Sequence, residues 1–297
     1  MSDDLPTAIE VTGLRIHPVK STAIRGVQSA QVTRAGLIGD REWMVVDGGG
    51  DLVSARELPA LFAIVADNRG TGVQHDLQLT APGMHPMVVS YPENGATQVR
   101  MFSDPPLTAR SAGSDVDDWL QQAIGRADLH LVWCHDPAAR RLDPEYSRPG
   151  DYTAFADGFP LTLVTDPSVR RLQEWVDETT SERGEEPVRI PAARFRANIE
   201  VSGPIAAFEE DTWSRIRIGA VEFRVPVPSA RCVMTTIDER LHKGKEPIRT
   251  MARHRRWDGR TWFAPNLIPD GEGTICVGDV LEVLERAPRR NPTTRDR

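Results

Sequence analysis

Short segments in which apolar and polar residues alternate dominate the first third of the chain. They fall at 9–17, 27–33, 42–46, 61–67, 73–79, 87–91 and 97–102. Turn-forming runs separate them, including DGGG at 47–50 and PENG at 92–95. Alternation with a period of two predicts half-buried strands, and many short strands between turns favour a small barrel or sandwich.

The spacing of apolar residues changes in the second part of the chain and predicts helices. One amphipathic stretch runs from Ser114, the predicted N-cap, to Gly125, which ends the helix. A second begins after a strand at 161–165, with Asp166 as the predicted N-cap and Pro167 at the first helical position. A third helix is predicted at 246–255, and further strands are predicted at 195–201, 215–218, 221–225, 232–237, 261–268 and 274–284.

Composition and charge narrow the classes of partner. The 297 residues carry a formal net charge of −7, which makes nucleic acid or an anionic membrane a poor default partner. The chain has three cysteines without a CxxC pair, so they do not form a disulfide framework. No apolar stretch suggests a signal peptide or a membrane span. We therefore expect a cytoplasmic protein, with neither nucleic acid nor a membrane as partner.

Cys232 is the cysteine with the most promising surroundings. It follows a predicted strand end at Pro228, Arg231 precedes it, and Thr235 lies three residues later. A neighbouring cation favours the thiolate, which is the form of cysteine that attacks or ligates metals. The alternative is a small buried core cysteine, and the residue alone leaves both interpretations open.

A second candidate site lies near the beginning of the chain. Lys20 and Ser21 closely follow the end of the first predicted strand, and Arg41 follows the turn at Gly39. Cations beside small residues at strand ends suit a phosphate or a carboxylate. The alternative is surface charge at turns, and the chain lacks a glycine-rich nucleotide fingerprint or a Walker lysine.

Two further pairs of polar residues belong to the second part of the chain. Thr165 and Asp166 lie at a predicted helix N-terminus, where backbone N–H groups can hold an anion. Arg196 and Asn198 alternate with apolar residues, so a strand would place them on one face. The alternatives are an ordinary helix cap and a half-exposed polar strand face.

The order of the motifs along the chain is more specific than any one of them. From about residue 9 to 284 the chain contains VKS, RGV, GDREWMVVD, FPLTLVTD, RFRANI, EEDTW, SARCVMTTID, EPIRTM, FAPNLI and GTICVGDVL, in this order. This series resembles the MOSC family. The most similar subgroup comprises the mitochondrial amidoxime-reducing components and the bacterial proteins that detoxify N-hydroxylated bases.

The resemblance implies a fold and a domain division. The expected fold class is β-rich α+β, with an N-terminal β-barrel domain packed on a MOSC β-barrel domain that carries a few helices. The N-terminal domain would span 9–124 and the MOSC domain 125–285, and residues 286–297 would form a disordered tail.

The resemblance also implies a cofactor and its contacts. The cofactor would be the molybdenum cofactor, Mo-molybdopterin, with the soft thiolate of Cys232 as the metal's protein ligand and catalytic residue. The expected cofactor-binding residues are Lys20, Ser21, Arg41, Thr165, Asp166, Arg196, Asn198, Arg231 and Cys232. The subgroup often has Ser-Glu in place of Thr165-Asp166, and a serine in place of Ala230.

The implied reaction is the two-electron reduction of a small N-hydroxylated substrate. Electrons would come from a separate reductase, or from a protein of ferredoxin or cytochrome type, because the chain has no ferredoxin-like cysteine run. No residue is an obvious proton donor, and Asp238 is only a guess for this role. Three alternatives remain: a sulfur-transfer protein linked to pyridoxal phosphate, a non-catalytic cofactor carrier, and a Cys–His hydrolase.

Overall fold

The structure, a computed structural model, describes residues 7–288. Its α-helices are α1 (Ser114–Ile124), α2 (Asp166–Glu182) and α3 (Ile248–His254). Its strands are β1 (Ile9–Ile16), β2 (Arg25–Val27), β3 (Ser29–Thr33), β4 (Gly36–Leu37), β5 (Trp43–Val46), β6 (Val65–Asp67), β7 (Leu77–Thr80), β8 (Met87–Val89), β9 (Ala96–Val99), β10 (Leu107–Ser111), β11 (His130–Trp133), β12 (Leu161–Thr165), β13 (Ile199–Ser202), β14 (Trp213–Ile218), β15 (Val221–Arg224), β16 (Pro228–Ala230), β17 (Arg256–Trp257), β18 (Arg260–Pro269), β19 (Gly273–Cys276) and β20 (Val280–Arg286).

The chain forms two compact units. The barrel unit comprises the described residues up to Leu14 together with those from Leu161 onward, and the second unit is Arg15–Pro160. The predicted domain bounds, 9–124 and 125–285, stay a prediction. Of the predicted tail 286–297, residues 289–297 lie outside the described part of the chain, whereas Arg286 is the last residue of β20.

A closed β-barrel forms the centre of the barrel unit. Its strands pair in the order β12-β13-β1-β20-β14-β15-β18, and β18 pairs again with β12. The β12–β13 pair is parallel, with Leu163 opposite Ile199, and the other pairs of this ring are antiparallel. Closure leaves no unpaired edge in the ring. The predicted β-rich α+β fold class is confirmed.

Helix α2 covers part of the barrel through the apolar stripe that its sequence predicts. Val169, Leu172 and Val176 are buried and belong to one cluster with Phe263 of β18 and Met251 of α3. Each buried aliphatic or aromatic side chain of this kind stabilises the fold by about 1.5–3 kcal/mol. The helix that carries Thr165 and Asp166 at its beginning is therefore fixed along its length.

The second unit contains a four-stranded sheet, β5-β11-β10-β9, and a three-stranded sheet, β6-β7-β8. Trp43 of β5 is fully buried, and its ring stacks at a centroid distance of 5.9 Å on that of Tyr91. Helix α1 ends as predicted, with Gly125 in the left-handed region at φ 78°. The predicted N-cap Ser114 is wrong: Gly113 takes this position, and its carbonyl accepts a hydrogen bond from Asp117 N.

Among residues 7–288 no helix is both long enough and apolar enough to cross a membrane.

Candidate functional site

Cys232 lies between strand β16 and a 3-10 helix, Val233–Thr236. It is the residue before this short helix, its backbone is extended (φ −121°, ψ 179°), and its carbonyl accepts from Thr235 Oγ1 at 3.1 Å. The expected strand at 232–237 is therefore wrong, because the backbone N of Thr235 also donates to Cys232 O, at 3.2 Å, and closes a helical turn instead of pairing with another strand. The thiol is reduced and half-buried, as is that of Cys276, whereas Cys134 is buried.

Arg231 is held in place by main-chain carbonyl oxygens. Its Nε donates to Phe263 O at 2.7 Å and its Nη1 donates to Phe195 O at 3.0 Å. Its backbone N also donates to Thr261 O at 2.7 Å, which connects the Cys232 loop to β18. These main-chain acceptors orient the guanidinium, so Arg231 brings an oriented positive charge to the residue next to Cys232.

Arg196 and Asn198 do not share a strand face, which corrects the expectation for 195–201. A 3-10 helix, Ala192–Phe195, precedes them, Arg196 ends it in the left-handed region at φ 49°, and strand β13 begins only at Ile199. Asn198 is buried, and its backbone N donates to Thr162 O of β12 at 2.9 Å. Both residues lie in the connection to β13, and Arg196 directly follows Phe195, whose carbonyl oxygen accepts from Arg231.

The beginning of α2 differs by one residue from the expectation. Thr165, rather than Asp166, is the N-cap, and its side chain accepts from Ser168 N at 3.4 Å. Asp166 is the first helical residue, and its carboxylate pairs with Arg170 one turn later. Thr165 is also the last residue of β12 and is fully buried, so the barrel places the first turn of α2 directly at a strand end.

Lys20 is a buried cation in the second unit. Its Nζ donates to Phe155 O at 2.7 Å and pairs with the carboxylate of Asp157. Burial lowers the pKa of Lys20 to about 8. The carboxylate of Asp157 raises this pKa but does not offset the effect of burial, and the nearby charges of Arg140 and Arg41 lower it slightly further. A lysine in this state carries its charge at neutral pH but holds the proton less firmly than usual.

Ser21 and Arg41 lie in turns whose backbone is in the left-handed region, at φ 68° and 52°. Ser21 is buried, and its Oγ has no hydrogen-bond partner within the described part of the chain. Arg41 pairs with Asp40, whose carboxylate also accepts from His17 N at 2.8 Å. The charge of Arg41, together with these hydrogen bonds, holds the pKa of Asp40 well below its usual range although burial alone would raise it.

Sequence reasoning missed four side chains next to Lys20. Asp157 pairs with Lys20 and also with Arg56, whose Nη2 lies 3.3 Å from Asp157 Oδ2. Phe102 places its ring centroid 5.6 Å from Lys20 Nζ and 4.6 Å from Arg56 Cζ. Arg140 donates to the main chain at Ala154 and Asp157. Arg56 and Phe102 come from two other loops, Arg140 and Asp157 both lie in the connection between β11 and β12, and no spacing in the sequence links the four to Lys20.

Each unit therefore contains its own part of the predicted set. Lys20, Ser21 and Arg41 belong to the second unit, and Thr165, Asp166, Arg196, Asn198, Arg231 and Cys232 belong to the barrel unit. Among residues 7–288 there is no group of three or more His, Cys, Asp or Glu side chains that could hold a metal ion. A metal at Cys232 would thus need its remaining ligands from a cofactor.

The barrel unit is thus a closed β-barrel with a half-buried cysteine next to an arginine that is held by main-chain carbonyl oxygens. Comparison with known families shows which family of β-barrel proteins contains the chain. Residues 8–127 match the MOSC N-terminal beta barrel domain, and residues 151–283 match the MOSC domain. The chain belongs to the MOSC family.

Curated relatives agree with this assignment. The chain is 30% identical over 272 residues to mitochondrial amidoxime-reducing component 1 of Danio rerio, covering 86% of this chain and 78% of the relative. It is 27% identical to the protein of the same name from Homo sapiens, covering 92% and 82%. It is also 31% identical to the molybdenum cofactor sulfurase of Homo sapiens, covering 80% of this chain but only 28% of that longer protein.

Proposed function

We propose that this protein is a molybdenum-cofactor-binding oxidoreductase that reduces N-hydroxylated compounds with electrons from a separate protein. The observation that carries the proposal is the placement of Cys232. Its thiol is half-buried at the end of a strand, next to the fixed charge of Arg231, in a chain whose relatives include amidoxime-reducing components. A soft thiolate is the ligand type that a metal already held by dithiolene sulfurs accepts.

Each unit contains side chains or backbone groups whose chemistry suits one part of such a cofactor. The second unit offers the cations Lys20 and Arg41 for an anionic group, and the buried Ser21 Oγ as an unused hydrogen-bonding group. The barrel unit offers Cys232 for the metal, and the first turn of α2 at Thr165 for a further polar contact. These residues are proposed as cofactor contacts within their own units, and Asp166, Arg196, Asn198 and Arg231 are proposed as further contacts in the barrel unit.

When bound, the cofactor would supply two-electron oxygen-atom transfer. The residues of this chain contribute binding and orientation, because main-chain bonds fix Arg231, and Asn198 lies in a connection tied to β12. Asp238 is poorly suited as a proton donor. Slight desolvation raises the pKa of the Asp238 carboxyl, but hydrogen bonds from His242 N at 2.8 Å and Arg240 N at 2.9 Å outweigh it. The pKa of Asp238 is therefore lowered, and the group holds its proton less firmly than a free aspartic acid.

Metal content is the decisive measurement. The full chain is expressed in a host that makes the molybdenum cofactor, and molybdenum per protein is determined by mass spectrometry. We expect near-stoichiometric molybdenum in the parent protein and a large loss in Cys232→Ala. Cys276→Ala is the matched control, because Cys276 is also a reduced, half-buried thiol, and it should keep the metal. Absence of molybdenum from the parent, or equal content in both variants, would contradict the proposal.

Turnover is the second measurement. The loaded protein should reduce benzamidoxime with a dye as electron donor, and Cys232→Ala should not. The protein donor, a reductase or a carrier of ferredoxin or cytochrome type, would then be identified by replacing the dye. The relatives are named mitochondrial, and the cytoplasmic location of this chain stays a prediction.

The similarity to molybdenum cofactor sulfurase favours one alternative. It covers 28% of that protein, so this chain resembles one part of a sulfur-transfer enzyme. A sulfur-transfer or cofactor-carrier protein would use the same barrel and the same cysteine. Bound molybdenum without benzamidoxime turnover would support the carrier, and a persulfide on Cys232 or a pyridoxal phosphate absorbance would support sulfur transfer.

A further inference from the structure

Three aromatic rings of the second unit form a continuous stack. Trp43 of β5 lies directly opposite Trp133 of β11 in their antiparallel pair, and the two ring centroids are 6.2 Å apart. The ring of Tyr91, which follows β8, lies 5.9 Å from that of Trp43 and 4.4 Å from that of Trp133. Trp43 is fully buried, whereas Tyr91 and Trp133 are half-buried, so the stack extends from the core toward solvent.

Tyr91 is the member of the stack that can give up a proton within the protein. Its phenol O–H donates to Glu42 Oε2 at 2.8 Å, and Glu42 Oε1 accepts from Gly39 N at 2.9 Å. Burial raises the pKa of Glu42, which makes its carboxylate a stronger base than an exposed glutamate. Burial and the charge of Glu42 also hold the pKa of Tyr91 well above its usual range, so the phenol is protonated until its ring loses an electron. Asp76 and Arg69, which also act on the phenol, pair with each other at 2.8 Å.

Charged groups at the two ends of the stack favour an oxidised Tyr91 over an oxidised Trp133. The guanidinium of Arg110 lies 6.0 Å from the ring centroid of Trp133, and a main-chain carbonyl oxygen accepts from it at 2.9 Å. A cation over a tryptophan ring destabilises the radical cation that forms when the ring loses an electron. Tyr91 instead has the carboxylate of Glu42 at its phenol, and this carboxylate can accept the proton that an oxidised phenol releases. The electrostatic field therefore directs oxidation from Trp133 to Tyr91.

We propose that this aromatic stack conducts one-electron oxidation to Tyr91, which stores it as a neutral radical while Glu42 holds the phenolic proton. A strong one-electron oxidant in solvent takes an electron from Trp133, and Tyr91 replaces that electron. The phenol O–H bond of Tyr91 breaks in the same step, and the proton forms a new O–H bond on Glu42. A one-electron reductant such as ascorbate then returns an electron to Tyr91, and Glu42 returns the proton.

Photochemical oxidation of the full chain tests this inference. A light flash with persulfate converts tris(bipyridine)ruthenium(II) to the ruthenium(III) oxidant, transient absorption follows the radical, and electron paramagnetic resonance identifies it. We expect a tyrosyl radical in the parent protein and a tryptophan radical in its place in Tyr91→Phe. Glu42→Gln should slow formation of the tyrosyl radical about a hundredfold, because it removes the positioned base. Heavy water should slow its formation in the parent, because the proton moves with the electron.

The matched control is Tyr152→Phe. Tyr152 is also a half-buried tyrosine of the second unit, but its ring lies outside the stack, so this variant should give the parent radical at the parent rate. An undiminished tyrosyl signal in Tyr91→Phe, or a rate that neither Glu42→Gln nor heavy water changes, would overturn the inference. Radical formation does not require bound molybdenum, so failure of this inference and failure of the proposed function are seen in separate measurements.

Discussion

The two units hold their buried cations in different ways. In the barrel unit, Arg255 is 4% exposed and makes a two-pronged pair with Asp211, at 2.6 and 2.9 Å, and its Nε donates to Trp262 O. In the second unit, Lys20 is similarly buried, but its carboxylate partner Asp157 is 60% exposed and is shared with Arg56. The first arrangement is enclosed, whereas the second opens to solvent.

This difference separates an enclosed ion pair from an ion pair with one exposed member. A fully enclosed pair cannot exchange its partner without an uncompensated charge in the interior. A pair with one exposed member can exchange it for an anion from solvent at little cost in desolvation. The same contrast distinguishes Arg231, whose charge is fixed by main-chain oxygens, from Arg56, whose carboxylate partner is exposed.

The largest effect is expected for the enclosed pair. Asp211→Ala leaves Arg255 buried without its carboxylate, so the free energy of unfolding should fall by about 3–5 kcal/mol in chemical denaturation. Asp51→Ala, which removes the exposed partner of Arg100, is the control and should leave stability nearly unchanged. A similar loss of unfolding free energy in the two variants would contradict the distinction between enclosed and open ion pairs.

The next effect concerns Glu210, a carboxyl of the barrel unit that lacks an ion-pair partner in the described structure. Its Oε1 accepts from Ser168 Oγ at 2.6 Å, and burial raises its pKa from 4.5 to about 7. The folded state therefore keeps a proton that the unfolded state has released, and stability falls as the pH rises through this window. Above it, Glu210→Gln should be more stable than the parent by on the order of 3 kcal/mol.

The pH dependence of that difference is the critical measurement. Denaturation of the parent and Glu210→Gln should give similar stabilities below the window and different ones above it. Glu174→Gln, which changes an exposed glutamate of α2 paired with Arg171, should show no such trend. A Glu210→Gln difference that is constant with pH would mean that the parent carboxyl is ionised throughout.

The smallest effect is expected at the beginning of α2. Thr165→Ala removes the side-chain acceptor for Ser168 N and should lower the free energy of unfolding by about 1 kcal/mol. Thr165→Ser keeps the hydroxyl and should recover most of this loss. Thermal unfolding of the three proteins measures both changes, and an unaltered Thr165→Ala would mean that the cap bond, which is long, contributes nothing.

Sequence patterns predicted helix faces and helix ends correctly where interactions between residues close in the chain determine the structure. The stripe of Val169, Leu172 and Val176 identified the buried face of α2, and Gly125 identified the end of α1. The errors are also local in origin. Arg196 and Asn198 alternate like strand residues, but backbone hydrogen bonds close a 3-10 helix just before them, and alternation does not distinguish the two.

The sequence predicts the candidate site less completely than it predicts the fold. Motif order identified Cys232, Lys20 and their neighbours in the sequence, because each lies in a short segment with its own pattern. Arg56, Phe102 and Asp157 have no such pattern, and Asp157 pairs with Lys20 across 137 residues of chain. Their relevance arises from the meeting of separate loops, which periodicity and spacing do not encode.

The sequence by itself determined the β-rich class of the protein, the helices α1 and α2, and the family that its motifs belong to. Only the tertiary structure decided that β12 pairs with β18 to close the barrel, that Arg231 is bound by the carbonyls of Phe195 and Phe263, and that Lys20 shares Asp157 with Arg56. The physical reason is the distance along the chain over which each kind of interaction acts. Propensity and amphipathic spacing act over a few residues, whereas strand closure and charge pairing depend on groups that folding brings together from distant parts of the chain.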